Sequence, residues 1–395
     1  MLNTDDRREV IIREGYDVIV VGGGIAGVSA AVSAAREGAK TLLIEKQINL
    51  GGLATTGLIS WYEPLCDGSG EKVIGGIAEE LIKLSIKYGF ENLPEKWGGE
   101  GKNQIHYDRY ATRFSPTAFS LALDGYVTES GADIKFDTLA TFPVKEGNII
   151  TGIITETVEG KEFFPASVVI DATGDASVSK RAGIPTELGD NWLVYLCHMF
   201  DDTAINSYIK NKDMAALRKW MACGGDMNGK GNIPGIPIQR MNGSSDENNF
   251  ILSSKKHFFE IYKKRNKNEN EIMMLPFMPQ YRKIRRIIGE STFYGEENKR
   301  YEDSIGTVGD FRFPGKRYQI PFSALYNSSV PNLLAAGRII SASGDGWEVA
   351  RVIPVCAVTG QAAGTAAALA NADTTDFGGI IKKLQCKLTD YGFLI

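Results

Sequence analysis

The chain has 395 residues, of which 43% are hydrophobic, and a formal net charge of −4. One simple core rarely serves a chain of this length, so we expect two domains. The slight acidic excess gives no electrostatic indication of nucleic-acid binding, which usually requires a basic domain or stripe, and it favours a small-molecule partner. The five cysteines contain no CxxC pair, which predicts neither a disulfide framework nor a metal site and is typical of a cytoplasmic protein; they are Cys66, Cys197, Cys223, Cys356 and Cys386.

A βαβ unit that binds a dinucleotide is predicted over residues 16–46. Residues 18–21 form an apolar, β-branched run, which is typical of a strand buried on both faces of a parallel sheet. The run ends in Gly22, Gly24 and Gly27, which have GxGxxG spacing. In such a unit the first glycine permits the tight turn, the second lets the backbone approach a pyrophosphate, and the third lets the helix lie near the sheet.

The segment after the glycines has the features of an anion site. The helix begins near Ile25 and Ala26, where free N–H groups and the positive end of the helix dipole would face the pyrophosphate. A second strand, residues 41–44, leads to Glu45. This carboxylate can accept hydrogen bonds from ribose hydroxyls and repels a 2′-phosphate, which favours FAD or NAD over NADP. Residues 18–35 are uncharged, but their glycine cluster argues against a membrane span.

Further elements follow in chain order. Residues 51–57 contain a glycine pair among small residues, which allows backbone to approach a flat ring, and residues 77–88 have a helical pattern. An amphipathic helix is predicted over residues 114–128, from a Ser-Pro start signal. Short alternating strands predict an antiparallel meander over residues 134–172. Residues 330–372 predict a strand followed by a helix rich in alanine and glycine.

That last helix carries Gly360 and Gly364 on one face, so it can lie almost against a neighbouring backbone. Together the elements predict an α/β fold, with a Rossmann-like dinucleotide-binding domain that includes a three-stranded β meander and with an interleaved α+β substrate domain. The predicted ranges are 16–60, 100–190 and 330–372 for the dinucleotide-binding domain, and 61–99 and 191–329 for the substrate or cap domain.

Four motifs follow one another along the chain. They are the GxGxxG unit with its acid, a GG doublet, an ATG strand end, and a terminal AGR strand followed by RVIPVCAVTGQAAG. In this order of motifs the chain resembles the FAD-dependent oxidoreductases with a glutathione-reductase-like FAD domain, the group that also holds the fumarate reductase and succinate dehydrogenase flavoproteins. Within that group it resembles most a compact family with an RRIxGE segment, here Arg285 to Glu290.

The resemblance implies a set of FAD-binding residues. The GxGxxG unit and its acid would hold the ADP half, with the next lysine and the ATG turn on the adenosine side. The GG loop would run beside the pyrophosphate and the isoalloxazine edge, and the AGR turn would approach the phosphates and ribityl chain. The last helix, from its proline, would aim free N–H groups at the pyrimidine edge and favour the reduced flavin. The implied residues are Gly22, Gly24, Ile25, Ala26, Gly27, Glu45, Lys46, Gly51, Gly52, Ala54, Thr55, Ala172, Thr173, Gly174, Gly337, Arg338 and Pro354.

The chain also departs from parts of this group. No histidine precedes His106, so the histidine that tethers FAD in succinate dehydrogenase and fumarate reductase is missing, which implies non-covalent FAD. There is no second GxGxxG unit for a resident nicotinamide nucleotide and no redox CxxC pair, which argues against a disulfide reductase. A diffusing NAD(P)H and a redox protein are the candidate electron partners.

Three side chains are candidates for the chemistry. Arg351 precedes the last helix and can anchor an anionic or carbonyl substrate through bidentate bonds, or it can form a structural pair with Glu348. His198, in the apolar run YLCHMF, can serve as a general acid or base, although a lone histidine on a strand is more often a satisfied core residue. Tyr195 has the same two interpretations.

Two basic segments also have alternative interpretations. Arg285 and Arg286 either contact flavin or substrate, by family analogy, or form a basic helix surface. The run KKHFFEIYKKR, residues 255–265, is interpreted as an amphipathic helix with a solvated face rather than as a membrane contact.

The predicted function is an FAD-dependent oxidoreductase that transfers hydride equivalents to or from a small organic substrate, by C=C reduction or by C–H or C–OH oxidation. The alternative is an FAD-binding electron-transfer subunit of a larger redox complex without a substrate pocket of its own. A pocket built from residues 190–330 beside the flavin would favour the enzyme, and a solvent-open flavin edge would favour the subunit. An RNA-modifying FAD protein is disfavoured by the acidic balance.

Overall fold

The computed structural model describes residues 10–100, 109–226, 232–233, 235–236, 238–265, 269–370 and 376–395. His106 and part of the loop at 224–235 therefore lie outside the described residues. Within these ranges the strands are β1 (Ile11–Ile12), β2 (Tyr16–Val21), β3 (Thr41–Ile44), β4 (Trp61–Tyr62), β5 (Thr112–Arg113), β6 (Asp133–Lys135), β7 (Leu139–Glu146), β8 (Ile149–Thr157), β9 (Gly160–Asp171), β10 (Thr186–Leu188), β11 (Val194–Asp201), β12 (Lys219–Gly224), β13 (Asn270–Met274), β14 (Arg285–Ile287), β15 (Ser304–Gly309), β16 (Arg317–Pro321) and β17 (Leu333–Ala335). The α-helices of the same ranges are α1 (Ile25–Arg36), α2 (Ile77–Lys87), α3 (Pro116–Thr128), α4 (Ser177–Ala182), α5 (Asp202–Asn211), α6 (Ser244–Lys263), α7 (Asp345–Ala350), α8 (Ile353–Leu369) and α9 (Ile381–Asp390).

The central sheet joins a parallel part to an antiparallel part. Its parallel strands lie in the order β6-β3-β2-β9-β17. The long strand β9 belongs to both parts, because its first half pairs antiparallel with β8, which pairs with β7, and its second half pairs parallel with β2. This arrangement confirms the α/β class, the Rossmann-like unit and the three-stranded meander. One detail differs, since β6 falls in the range predicted as meander but pairs parallel with β3.

Helices α1 and α8 pack closely, as the glycine face of α8 predicts. A Cβ on Gly360 would lie 2.2 Å from the carbonyl oxygen of Ala26, and a Cβ on Gly364 would lie 2.2 Å from that of Ala30. Residues of both helices belong to the largest buried cluster of the protein. The close contact places the start of α8 beside the start of α1, and hence beside the glycine fingerprint.

A smaller antiparallel sheet, in the order β12-β11-β13, forms a separate layer. It packs on α6 through a cluster that includes Tyr195, Met199 and Phe258. Helix α6 contains most of the basic run at 255–265, which confirms the helical interpretation of that run. Gln280 ties this layer to the rest of the protein, because its Nε2 donates hydrogen bonds to the carbonyl oxygens of Gly57 and Leu196, at 2.7 and 2.9 Å.

The segment Arg285–Ile287 is strand β14, antiparallel to β10, so the interpretation of its arginines as a basic helix surface is wrong. Arg286 is only 6% exposed. Its guanidinium pairs with Glu187 and lies over the ring of Trp347 at 5.7 Å. A strand forms here because β10 provides hydrogen-bond partners for the backbone of β14. The charge of Arg286 can be buried because a carboxylate and an aromatic face stabilise it.

Three further observations concern the described residues. Their helices include none with the length and apolar character needed to cross a membrane. No group of three or more His, Cys, Asp or Glu side chains among them is arranged to hold a metal ion. The five cysteines are all free thiols.

Candidate active site

A cleft opens at the carboxyl ends of the parallel strands, which is where ligands bind in open α/β sheets. It encloses about 1150 Å³, including its open mouth. Its walls include most of the predicted FAD-binding residues, namely Gly22, Gly24, Ile25, Ala26, Glu45, Lys46, Gly51, Gly52, Ala54, Ala172, Thr173, Gly174, Gly337 and Arg338, and also Arg351. The predicted residues outside this lining are Gly27, Thr55, Pro354, His198 and Tyr195.

The three fingerprint glycines differ in geometry. Gly22 has a φ of 101°, and a Cβ there would lie 2.6 Å from the carbonyl oxygen of Ala172. A Cβ on Gly27 would lie 1.7 Å from the carbonyl oxygen of Gly22, so only glycine lets α1 come this close. Gly24 has a φ of −67°, and a Cβ there would meet no described atom within 4 Å. The protein itself therefore requires Gly22 and Gly27, whereas the open side of Gly24 faces the cleft.

The start of α1 and the end of β3 supply complementary polar groups. The first N–H groups of helix α1, which begins at Ile25, lack intrahelical acceptors, as in any helix. The N-cap residue Gly24 has no side chain to accept from them, and the first turn contains no acid. Glu45 is 9% exposed. Its Oε2 accepts a hydrogen bond from the Gly23 N–H at 2.6 Å, and its Oε1 accepts one from the Gln47 N–H at 2.8 Å. These bonds fix the carboxylate in the cleft wall and leave it lone pairs for hydroxyl donors.

The loop after β3 brings backbone against the fingerprint turn. Gly51 and Gly52 have φ values of 99° and 55°. The Gly51 N–H donates to the carbonyl oxygen of Gly23 at 2.8 Å. Thr55 is buried, and its hydroxyl donates to the carbonyl oxygen of Leu50 at 2.5 Å. Thr55 therefore stabilises the loop, while the two glycines line the cleft.

Arg338 joins two walls of the cleft. Its Nε donates to the carbonyl oxygen of Gly174 at 2.6 Å, and its Nη1 donates to that of Tyr281 at 2.6 Å. Burial lowers the pKa of Arg338. Asp171 stabilises the turn that contains Gly174, because its carboxylate accepts a hydrogen bond from the Thr173 N–H at 3.1 Å. The family resemblance implies that Arg338 approaches the phosphates of FAD, but it does not predict that its donors also hold the protein backbone.

The start of α8 forms another wall. Helix α8 begins at Ile353, one residue before the predicted Pro354, and has no side-chain N-cap. Arg351 lies just before it, and its Nε donates to Glu348 Oε2 at 2.8 Å. Lys283 Nζ donates to Glu348 Oε1 at 2.6 Å. The structural pair with Glu348 is therefore present, and it holds Arg351 at the cleft wall.

Glu63 contacts the start of α8 from outside the cleft lining. It directly follows β4 and is half-buried, and its Oε2 accepts a hydrogen bond from the Ile353 N–H at 3.2 Å. Burial raises the pKa of Glu63 to about 7, against the opposing effect of the nearby Arg351 and Arg282 charges. A carboxyl group that titrates near neutral pH beside a cleft is a candidate for function.

The sequence profile of the family described as FAD dependent oxidoreductase matches residues 17–275 and 266–388. The chain belongs to this family. The chain is similar to the digeranylgeranylglycerophospholipid reductase of Methanoculleus marisnigri, with 31% identity over 200 residues, 44% of this chain and 43% of the relative. The enzyme of the same name from Picrophilus torridus is 34% identical over 174 residues, 43% of this chain and 42% of the relative.

The match spans less than half the length of these curated relatives. Among solved structures, a geranylgeranyl bacteriochlorophyll reductase-like protein from Thermoplasma acidophilum is 16% identical, with 97% of this chain and 84% of that chain covered and a TM-score of 0.49.

This FAD-dependent oxidoreductase has a cleft whose residues fit FAD. The open side of Gly24 is a cradle that any side chain would fill. The uncapped start of α1 suits a pyrophosphate, and the carboxylate of Glu45 suits ribose hydroxyls.

His198 of the oxidoreductase is 3% exposed and lies in β11, outside the cleft lining. The Trp220 Nε1–H donates to His198 Nε2 at 3.1 Å. Because indole nitrogen is a donor only, Nε2 is the acceptor and the ring is neutral. Burial lowers the pKa of His198 to about 4. These surroundings are those of the satisfied core histidine that the sequence offered beside the catalytic role.

Tyr195 lines a second cavity, which we call the side cavity. It encloses about 530 Å³, including its opening, and is lined by Val194, Tyr195, Phe250, Ile251, Ser254, Lys255, Pro276, Phe277, Met278, Pro279 and Gln280. Met278 and Pro279 line the cleft as well. The buried Ser254 hydroxyl has no hydrogen-bond partner among the described residues.

Several residues that line the cleft were not predicted from the sequence, among them Met278, Pro279 and Glu247. Glu63 and Arg282, which lie near the start of α8 but outside the cleft lining, were not predicted either. The segment at 276–284 carries no glycine fingerprint, and although the family resemblance extends over it, no role was predicted for its side chains. Glu63 had one weak signal, because it is an acid inside the otherwise uncharged run WYEPLC. Arg282 has a buried Nε without a described partner, and burial lowers the pKa of its guanidinium to about 10.

Proposed function

We propose that this flavoenzyme reduces a carbon–carbon double bond in an apolar organic substrate, with FAD in the cleft and the substrate in the side cavity. The observation that carries the proposal is that Met278 and Pro279 line both cavities. A substrate in the side cavity therefore lies next to the cofactor cleft, as hydride transfer requires.

The FAD domain is proposed to be of the glutathione-reductase-like kind, which also occurs in fumarate reductase flavoproteins. A parallel sheet that continues into a β meander supports this assignment. We propose that residues 16–60, 100–190 and 330–372 form this domain, and that residues 61–99 and 191–329 form the cap.

Within the cleft, each group has a proposed partner on FAD. Glu45 would accept hydrogen bonds from the ribose, and the open face of Gly24 with the start of α1 would receive the pyrophosphate. The start of α8, at Ile353, would face the ring system. Bound FAD supplies hydride transfer; the chain's residues bind it without a covalent tether, orient it and exclude water.

The side cavity suits a long apolar substrate that carries a polar group. Most of its lining is apolar or aromatic, while the hydroxyl of Ser254 is buried without a described partner. The two curated relatives are, by name, reductases of a digeranylgeranylglycerophospholipid. The reducible groups of a geranylgeranyl chain are C=C bonds, which favours reduction over alcohol oxidation. A cavity beside the cleft favours an enzyme over an electron-transfer subunit.

The three predicted catalytic side chains have different proposed roles. Tyr195 would contact the substrate, since it lines the side cavity. Arg351 would orient bound groups at the α8 end of the cleft. His198 is proposed to support the loop after the GG segment. Its Nε2 lies 3.2 Å from the Ser60 hydroxyl of that loop, and the Nε1 of Trp220 lies 3.1 Å from the same hydroxyl.

The test begins with oxygen-free holoenzyme. NADH, then NADPH, is added while the flavin absorption is recorded, and dithionite serves as the reductant if neither bleaches it. The reduced enzyme is then mixed with a geranylgeranyl lipid or with its saturated analogue. We expect reoxidation and a product with two added hydrogens only with the unsaturated lipid. Equal reoxidation by both lipids, or by neither, contradicts the proposal.

A matched pair of variants on α6 tests the side cavity. Ile251→Trp places an indole in the cavity, whereas Leu252→Trp adds the same ring at a position that is 57% exposed and outside the lining. We expect Ile251→Trp to slow reoxidation by the lipid about 100-fold, which is typical of a misplaced substrate, without slowing flavin reduction. Leu252→Trp should match the wild type. Equal rates for both variants would place the substrate elsewhere.

A further inference from the structure

Glu63 has no part in the function proposed above, although it contacts the start of α8. We infer that Glu63 binds a proton from solvent when FAD in the cleft receives two electrons. This inference rests on the proposed binding of FAD. The electrons come from a nicotinamide or a chemical reductant, which is oxidised. Glu63 only gains an O–H bond, with a proton that water supplies, and is itself neither oxidised nor reduced.

The charged groups of the cleft define its two ends. Glu247 interacts with Asp175 and with Lys46, the residue after the proposed ribose acid. Arg338 interacts with Asp175 and also with Cys356 of α8. The cleft thus runs from the acid at the end of β3, past Arg338, to the start of α8. A dinucleotide with its ribose at the first end has its ring system at the second.

Glu63 lies outside the cleft lining but contacts its second end. Its Oε2 accepts a hydrogen bond from the Ile353 N–H at 3.2 Å, and Ile353 lines the cleft. The ionisable side chains that interact with it are Arg351 before α8, Arg282 of the segment at 276–284, Cys356 of α8 and its neighbour Tyr62. The arginines favour the ionised carboxylate, while burial opposes it.

These opposing effects leave Glu63 poised for protonation. Its pKa of about 7 puts comparable amounts of the ionised and protonated forms at neutral pH. Two-electron reduction adds negative charge at this end of the cleft, and a nearby like charge raises the pKa of a carboxyl group. Glu63 therefore shifts to the protonated form as the cofactor is reduced, which limits the repulsion between them.

The first test measures the midpoint potential of bound FAD between pH 6 and pH 9. Above about pH 7, one extra proton per two electrons steepens the fall of the potential by about 30 mV per pH unit, since a tenfold change corresponds to that step for a two-electron couple. We expect the wild type and the control Glu129→Gln, at an exposed position after α3, to show this extra slope, and Glu63→Gln to lack it.

The outcomes of this test separate the two proposals. Equal slopes in wild type and Glu63→Gln, with normal FAD binding and reduction, would overturn the role of Glu63 and leave the proposed function intact. Failure of the wild type to bind FAD would instead overturn the proposed function.

The second test needs no cofactor. The folded pKa of Glu63, about 7, lies above the ordinary value of 4.5, so its protonated form stabilises the fold and this contribution is lost as the pH rises from 5 to 8. In urea unfolding of FAD-free protein, we expect the wild type to lose stability over this range relative to Glu63→Gln. If Glu63 only capped α8 as a carboxylate, it would remain ionised from pH 5 to 8, and the difference between the two proteins would be constant over this range, which would overturn the inference.

If Glu63→Gln does not fold, the wild type itself provides the measurement. Reduction should produce a band of a protonated carboxyl group in the infrared difference spectrum, and Glu63→Asp should shift that band. A spectrum without such a band would overturn the inference.

Discussion

Gly24 and Gly27 lie three residues apart at the start of α1, yet they serve different purposes: Gly27 allows the helix to pack, and Gly24 leaves space for a ligand. A side chain at Gly27 would overlap the carbonyl oxygen of Gly22, so the glycine is required for α1 to pack on the strand turn. At Gly24 the backbone conformation suits any residue, and the protein leaves space. The absence of a side chain there serves the ligand.

This difference gives a paired prediction. Gly24→Val should fold and lose FAD, because its side chain occupies the proposed pyrophosphate position. Gly27→Ala should be destabilised by about 3 kcal/mol or more, because the backbone must move to remove the overlap. The ratio of flavin to protein absorption and urea unfolding measure the two effects. A Gly24→Val protein with a full complement of FAD would disprove the assignment of the fingerprint.

At the scale of elements, the contact between α1 and α8 brings the two proposed cofactor-facing helix starts together. The contact depends on glycines of α8 that lie against carbonyl groups of α1. Because both helix starts lie at the same edge of the sheet, their dipoles act on one cleft.

Gly364→Ala should destabilise the protein by about 1–3 kcal/mol, since its Cβ would lie 2.2 Å from the carbonyl oxygen of Ala30. The matched control is Gly125→Ala in α3, where the nearest atom to the new Cβ is Glu129 Oε1 at 3.8 Å. The control should gain about 0.5–1 kcal/mol from helix propensity. Urea unfolding compares them, and equal effects of the two substitutions would mean that α8 can move away from α1 without cost.

At the scale of the whole molecule, distant segments build the cleft. Its walls come from the fingerprint turn, the loop after β3, the turn after β9, residues 278–284 and the chain from β17 to α8. A ligand that binds all of these walls stabilises the folded protein as a unit, because the unfolded chain has no such cleft.

We therefore expect added FAD to raise the melting temperature of FAD-free protein, with a stabilisation of about 2.7 kcal/mol at 100 times the dissociation constant. Acid denaturation should release all the flavin into the supernatant, because the attachment is predicted to be non-covalent. Differential scanning calorimetry and the absorption spectrum of the supernatant measure these effects. Flavin that stays with the precipitated chain would contradict the prediction, as would a melting temperature that FAD does not change.

The sequence alone determined the parts of the protein that depend on neighbours in the chain. The βαβ unit, the meander and the glycine face of α8 are local patterns of spacing and polarity, and the structure confirms each of them. The glycine fingerprint and its acid were predicted from their spacing, because a dinucleotide is bound largely by backbone at turns whose glycines have a recognisable pattern. Most of the other proposed cofactor residues were implied by the resemblance to a family and not by local patterns.

The partners of the polar side chains, in contrast, depend on how distant parts of the chain pack together. Only the tertiary structure placed Glu63 against the start of α8 and surrounded His198 with groups that keep its ring neutral. In the tertiary structure Arg285–Ile287 pairs with β10 as a strand, and Met278 lines two cavities. Each of these outcomes depends on contacts between residues far apart in the chain, and burial and charge at such contacts leave no periodic pattern in the sequence.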